Sequence, residues 1–304
     1  TDQQGRAGFL TVLKTMQSAW QQQGEEVMSS ADRIHSSMQR VYEKTEAVEG
    51  QLVERDLNRS VAKLISEADS EYGGWGGGPK FPQVSHLRLL LRHWHRTGDL
   101  KARDHVMLTC DQMMQGGIHD HLAGGFHRYA VDGQWLVPHF EKMLYDQAQM
   151  LDLYLDVWLV TKDQRYRDVA AGIADYVTRE MQHDEGGFYS AQDAQSEGKE
   201  GKCFCWTLQQ MTDLLEGDEL AVAQRWFGVS AKGNFIDHSD PEPLLGLNVL
   251  HMAEPDWKLN GAEKKALQSA TEKMRESRSL RIPAATDRKV LADWNGMMIA
   301  SLAR

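Results

Sequence analysis

A chain of 304 residues, 41% hydrophobic and 26% charged, is long enough to bury one large core or two ordinary ones. Its formal net charge of −10 argues against non-specific nucleic-acid binding, which needs a basic surface. No apolar run approaches the roughly 20 residues of a membrane span, and the opening TDQQGRAGFLTVLKTM lacks the apolar core of a signal peptide.

Phe9, Leu10, Val12, Leu13 and Met16, then Val27, Met28, Ile34, Met38 and Val41, recur at helical spacing. They predict a helical pair over 7–45, parted at the Gln-rich QQQGEE. A third helix is expected over 54–70, with Leu57, Val61, Leu64 and Ile65 as its apolar stripe. It runs into EYGGWGGGPKFP, where five glycines between 73 and 78 exclude helix. Lys80 is followed by Phe81 rather than Ser or Thr, and a helix precedes the run, so a phosphate loop is disfavoured. A tight turn that lets backbone approach a ligand or a neighbouring helix fits better.

Helices follow over 83–97 and 100–115. Gly116-Gly117 stops the second of them, as a glycine at C′ would. The stretch 116–150, GGIHDHLAGGFHRYAVDGQWLVPHFEKMLYDQAQM, is the densest in the chain in groups that move protons or hold a polar ligand. GGFHRYAVDGQWLV reads as a β-hairpin closed by Asp132-Gly133 in a type I′ turn. Pro138 reads as the first turn of a long helix reaching about residue 160. That placement predicts that the helix dipole keeps His139 neutral, and that Glu141/Tyr145 and Lys142/Asp146 share helix faces.

A helix over 164–182 leads to HDEGGFYSAQDAQSEGKEGKCFCWTL. Gly-Gly-aromatic now occurs for the third time, at 186–188 after 73–75 and 124–126, which is a loose internal repeat. Helices at 207–216 and 218–227, an irregular 228–260, a helix at 261–279 and a last one from about Lys289, still running at Arg304, complete the chain. Cys110, Cys203 and Cys205 form no CxxC pair and no complete zinc site. They read as buried thiols of a reducing compartment, the cytoplasm. Helical hairpins with few, short strands predict an all-α fold, an (α/α) toroid with short β-hairpin loops converging at one end. A chain stopping in mid-helix would be a fragment, incomplete at its C-terminal side.

GGWGGGPKFP, the 116–149 block with its HFEKMLYD, GGFYSAQDAQSEGKEG and KVLADWNG resemble the thioredoxin-domain-containing family related to spermatogenesis-associated protein twenty (domain of unknown function 255). The resemblance implies an N-terminal thioredoxin-like domain, absent here, followed by a six-hairpin, glycosidase-like toroid. Residues 1–50 would then be a helical linker and 51–304 a partial toroid. The toroid is similar to those of N-acylglucosamine 2-epimerases and unsaturated glucuronyl hydrolases. No thioredoxin cysteine motif is present, so no redox role is carried over to these residues.

Acid/base work on a sugar needs titratable groups on both sides of a ring and aromatic surfaces to stack it. His139, Glu141 and Asp193 are the candidate catalytic residues. Trp75, Lys80, His127, Arg128, Trp135, Tyr145, Asp146 and Trp294 are the candidate ligand contacts. His119 and His121 lack a third ligand nearby, so neither metal nor cofactor is expected. The expected partners are a small sugar-like molecule and the chain's own thioredoxin-like domain, with no nucleic acid and no membrane. Two functions compete: a carbohydrate-active hydrolase or epimerase, and a non-catalytic ligand-binding or scaffold toroid serving redox signalling. Two carboxylates, or a His and a carboxylate, about 5–10 Å apart across an open pocket would favour the first; side chains already neutralised by Arg128 and Lys142, with aromatics closing the pocket, would favour the second.

Overall fold

In the computed structural model, which describes residues 7–43 and 53–304, the first element is one long helix, α1 (Phe9–Glu43). The Gln-rich segment bends this helix at Gln23 (φ −137°, ψ 36°) without opening a loop. Thr1–Asp56 and Leu57–Arg304 are separate compact units, and the second begins within α2 (Glu54–Ser66).

The second unit continues with α3 (Val84–Thr97), α4 (Leu100–Gln115), α5 (Leu144–Thr161) and α6 (Gln164–Tyr176), the last passing into a single π-turn, Val177–Met181. After the loop region come α7 (Leu208–Leu214), α8 (Gly217–Trp226), α9 (Gly261–Ser279) and α10 (Ala292–Leu302). Several starts are written locally. Asp99 and Asp163 accept hydrogen bonds from the backbone N–H groups of Lys101 and Arg165, and Thr207 and Asn260 form capping boxes with Gln210 and Glu263.

α3 packs on α4 and α5 packs on α6, as antiparallel hairpins do, and α5 is flanked by α3 and α10. The α5 residues Leu144, Ala148, Leu151, Tyr154 and Val157 recur at helical spacing and are all buried. α7, α8 and α9 form a separate group around Trp206, Met211, Phe227 and Met274. The second unit has the architecture of an (α/α) toroid, helical hairpins carrying short strands in their loops.

The three Gly-Gly-aromatic segments adopt one conformation. Both glycines of each pair have positive φ: Gly73 and Gly74, Gly124 and Gly125, Gly186 and Gly187. Each turn closes a β-bridge to its own aromatic residue: Ala68 to Trp75, His119 to Phe126, Gln182 to Phe188. An aspartate organises the first two, Asp69 and Asp120, each accepting two backbone N–H bonds and one lysine. The turns converge. Lys80 and Ala130 exchange backbone hydrogen bonds of 2.7 and 2.9 Å, joining the first loop to the second. β3 (Lys142–Met143), β4 (Ala191–Gln192) and β7 (Thr286–Asp287) form one antiparallel sheet that joins the second loop to the third.

Three local expectations are corrected. Pro138 does not open a helix: Pro138–His139 is β2, paired antiparallel with β1 (Tyr129–Ala130), and α5 starts at Leu144. The type I′ turn is absent, because Gly133 does not take a positive φ. A wide loop over 131–137 replaces it, held by Asp132, whose carboxylate accepts from the N–H groups of Gln134 (2.6 Å), Leu136 (3.2 Å) and Val137 (2.6 Å). Gly116 is extended (φ −73°, ψ 170°) rather than left-handed. It is needed for close approach, since a Cβ there would lie 2.3 Å from the Trp135 carbonyl oxygen.

The amide of Gln147 on α5 brackets the second turn. Its Oε1 accepts from Phe126 N (2.8 Å) and its Nε2 donates to Phe126 O (2.6 Å). Asn295 on α10 does the same for Phe188 in the third turn. Gln147→Leu leaves a buried N–H and C=O unpaired. It is expected to destabilise the chain by about 2 kcal/mol, read as a lower urea midpoint at constant m.

Candidate functional site

The charged residues of 116–150 fall into two groups by their partners. The first is half-exposed and centred on His139. Its Nδ1 lies 2.8 Å from Glu200 Oε1, and its Nε2 lies 3.6 Å from Glu141 Oε2. The ring stacks on Tyr129 (centroids 5.0 Å apart), which stacks on Phe81 (4.6 Å). Glu200 comes from β6 (Lys199–Glu200), paired with β5 (Gln195–Ser196). Hydrogen bonding to Glu200 outweighs burial and raises the His139 pKa. The expected dipole effect, which would lower it, is absent because His139 sits on a strand.

Arg128 closes this group. Its guanidinium is 3.1 Å from Glu141 and also meets the Tyr145 hydroxyl, while Tyr145 packs edge-on to Trp294 at 4.8 Å. Asp146 follows on α5. Burial, opposed by Arg128, pushes its carboxyl up to about 8. Asp146 Oδ2 and Arg128 Nε are both buried without a hydrogen-bond partner. Such atoms are rare in folded proteins, and each calls for a reason, of which a catalytic role is one. Residues 141–143 are not helical, so the expected helix-face pairs do not form, and Lys142 turns to Asp120 rather than to Asp146.

The second group is enclosed. Asp120, 5% exposed, receives Lys142 Nζ (2.7 Å) and both terminal nitrogens of Arg278 (2.8 and 2.9 Å). Burial alone would raise the Asp120 pKa; the two cations outweigh it and hold the carboxyl well below the usual range. His119, His121 and His127 surround the pair. Burial lowers them to about 3, 4 and 3, and each ring hydrogen-bonds a backbone carbonyl: Met114, Gly116 and Phe140 respectively. They are neutral packing residues, and the described residues contain no group of three or more His, Cys, Asp or Glu arranged for a metal.

The remaining candidates lie elsewhere. Lys80 is fully buried, its Nζ bound to Asp69 (2.6 Å) and to the Gly133 carbonyl (2.9 Å). Trp75 and Trp135 are core residues whose indole N–H groups donate to the carbonyls of Leu64 and Tyr72. Asp193 is exposed and accepts from Gln195 N, the Asx arrangement. The structure therefore brings together Arg128, His139, Glu141, Tyr145, Asp146 and Trp294, and separates His127 from them by burying it with Asp120. Glu200 and Arg278 were not anticipated. Glu200 sits in a polar hairpin with no distinguishing spacing, and Arg278 reads as an ordinary cation at a helix C-terminus.

No family model matches the sequence. The chain is homologous to spermatogenesis-associated protein 20. It is 35% identical to the human protein over 98% of the chain and 42% of that protein, and 34% identical to the mouse protein over 98% and 41%. It thus spans about two fifths of the length of the curated relatives it matches. Among solved structures, an unsaturated glucuronyl hydrolase specific for heparin aligns over 82% of this chain and 67% of that chain, at 12% identity and a TM-score of 0.42. All three cysteines are free and buried, and no helix among the described residues is long and apolar enough to cross a membrane.

Proposed function

We propose that the chain is part of a carbohydrate-active acid/base enzyme that takes a small sugar-like molecule at the Arg128–His139–Asp146 group. The observation that carries this reading is the pair of buried, partnerless atoms, Asp146 Oδ2 and Arg128 Nε, beside a titratable histidine. Asp146, raised to about 8, is a neutral carboxylic acid at pH 7 and can donate a proton to a ligand oxygen. The neutral fraction of His139, held by Glu200, accepts one. Trp294 and Tyr145 supply aromatic surface for a sugar ring. Free thiols suit a cytoplasmic setting.

The second reading, a non-catalytic toroid coupled to a thioredoxin-like domain, is favoured by one observation. Glu141 is already neutralised by Arg128, and Asp120 by Lys142. Turnover against a panel of neutral and acidic sugars separates the two. The acid/base reading expects a bell-shaped rate profile, rising as His139 deprotonates above its raised pKa and falling near pH 8 as Asp146 ionises. Asp146→Asn should cut kcat by about 100-fold or more while leaving binding in place. Binding without turnover, unchanged in Asp146→Asn and His139→Gln, would leave the non-catalytic reading standing.

A further inference from the structure

A cavity of about 370 Å³ opens between the second Gly-Gly turn, the π-turn after α6, β4 and the C-terminal end of α9. It shares no residue with the Arg128–His139–Asp146 group. Five cations line it, Lys142, Arg179, Arg275, Arg278 and Arg281, against three carboxylates, Asp120, Glu180 and Glu276. This excess of positive charge sits on a chain whose overall charge is −10.

The carboxylates do not satisfy the arginines. Asp120 is shared by Lys142 and Arg278, and Glu180 is taken by Arg179 at 2.9 Å. Arg281 donates only to the carbonyl oxygens of Cys203 (3.0 Å) and Cys205 (2.7 Å) and lies 4.0 Å over the Trp206 ring. It has no carboxylate partner among the described residues. Arg275, one turn before Arg278 on the same face of α9, has none either. The Asp120–Lys142–Arg278 network fixes one wall, and Phe204 lies 5.6 Å from the Arg278 guanidinium as an apolar face. Gln192 accepts from the Tyr176 hydroxyl (3.1 Å), and its amide N–H groups have no partner among the described residues.

We propose that this cavity binds a small organic anion, a sugar-sized molecule whose carboxylate or phosphate is held by the guanidinium groups of Arg275 and Arg281. The volume falls within the range of small-molecule sites. The planar fork of arginine matches both anions in bidentate fashion, and the partial burial of Arg281 strengthens its contact relative to water. The Gln192 amide and the Phe204 face would orient the uncharged part of the molecule.

The test is calorimetric titration of the chain with glucuronate, with glucose 6-phosphate, and with glucose as the uncharged control. Binding of at least one anion, weakening as salt is raised, with none of glucose, is expected. The tighter anion identifies the charged group that the site takes. The double variant Arg275→Ala/Arg281→Gln should lose affinity at least tenfold. Neither substitution orphans a carboxylate, and Gln can still donate to the Cys203 and Cys205 carbonyls, so an unchanged thermal midpoint is expected alongside the loss. No heat with either anion, or undiminished affinity in a folded double variant, overturns the proposal. Because it reads binding alone and leaves Asp146 and His139 intact, its failure is separable from failure of the acid/base reading.

Discussion

Asp120→Asn is expected to destabilise the chain by about 3–5 kcal/mol, the loss seen when one partner of a buried ion pair is removed. Among the described residues the carboxylate is the one ion-paired with Lys142, which is 0% exposed, and it accepts both terminal nitrogens of Arg278. It also accepts the N–H groups of Leu122 and Ala123, at 3.1 Å each, which shape the Gly-Gly turn. Asn has one acceptor oxygen in place of two, and its NH2 would face a cation. The same substitution at Asp69, which holds Lys80 in the first turn but is partly exposed, should cost less. Urea denaturation of both variants checks the order; equal losses would mean that the second cation on Asp120 adds nothing.

The pH dependence has a definite sign. Asp120 is raised by burial and lowered further by Arg278 and Lys142, so its folded value lies below its unfolded one. Its stabilisation is complete above the ordinary aspartate value of about 3.9 and is lost as pH falls through the folded value. Asp120→Asn should therefore flatten the acid limb of the stability profile and leave the neutral limb parallel to that of the parent.

Gly124→Ala is the second large effect, about 3 kcal/mol or more. Gly124 has φ +77°, and a Cβ there would lie 2.2 Å from the Gly172 carbonyl oxygen on α6, where backbone meets backbone and no side chain can move aside. The left-handed conformation contributes about 1–2 kcal/mol and the overlap about 1–3. Gly186→Ala occupies the equivalent place in the third turn, with φ +98° but nothing within 4 Å of the added Cβ. It should cost only the conformational part. Thermal midpoints of the two variants separate the contributions, and similar losses would show that strain, not contact, dominates.

Residues 116–150 show how far pattern reaches. Gly-Gly-aromatic, recurring three times, announced turns that the structure builds alike, because two successive positive φ values admit little but glycine. Helix caps at Asp99, Asp163, Thr207 and Asn260 are equally local and equally legible. HFEKM was not. Its residues permit a helix, and Pro138 suits a first turn, but pairing with Tyr129–Ala130 and with Ala191–Gln192 draws the segment into strands. That one change moves His139 off a helix N-terminus and reverses the direction of its pKa shift.

From the sequence alone came the helical hairpins, the three glycine turns and the density of reactive groups before α5, since each depends on neighbours within a few residues. Tertiary structure decided the use of those groups. Lys142 and Asp146, four apart in sequence, lie in different environments, one enclosed with Asp120 and Arg278, the other beside Arg128. Arg278 is 158 residues from Asp120, and Glu200 is 61 from His139. Charge partners of that separation are chosen by packing, because burial makes an unpaired charge costly and leaves no trace in local spacing.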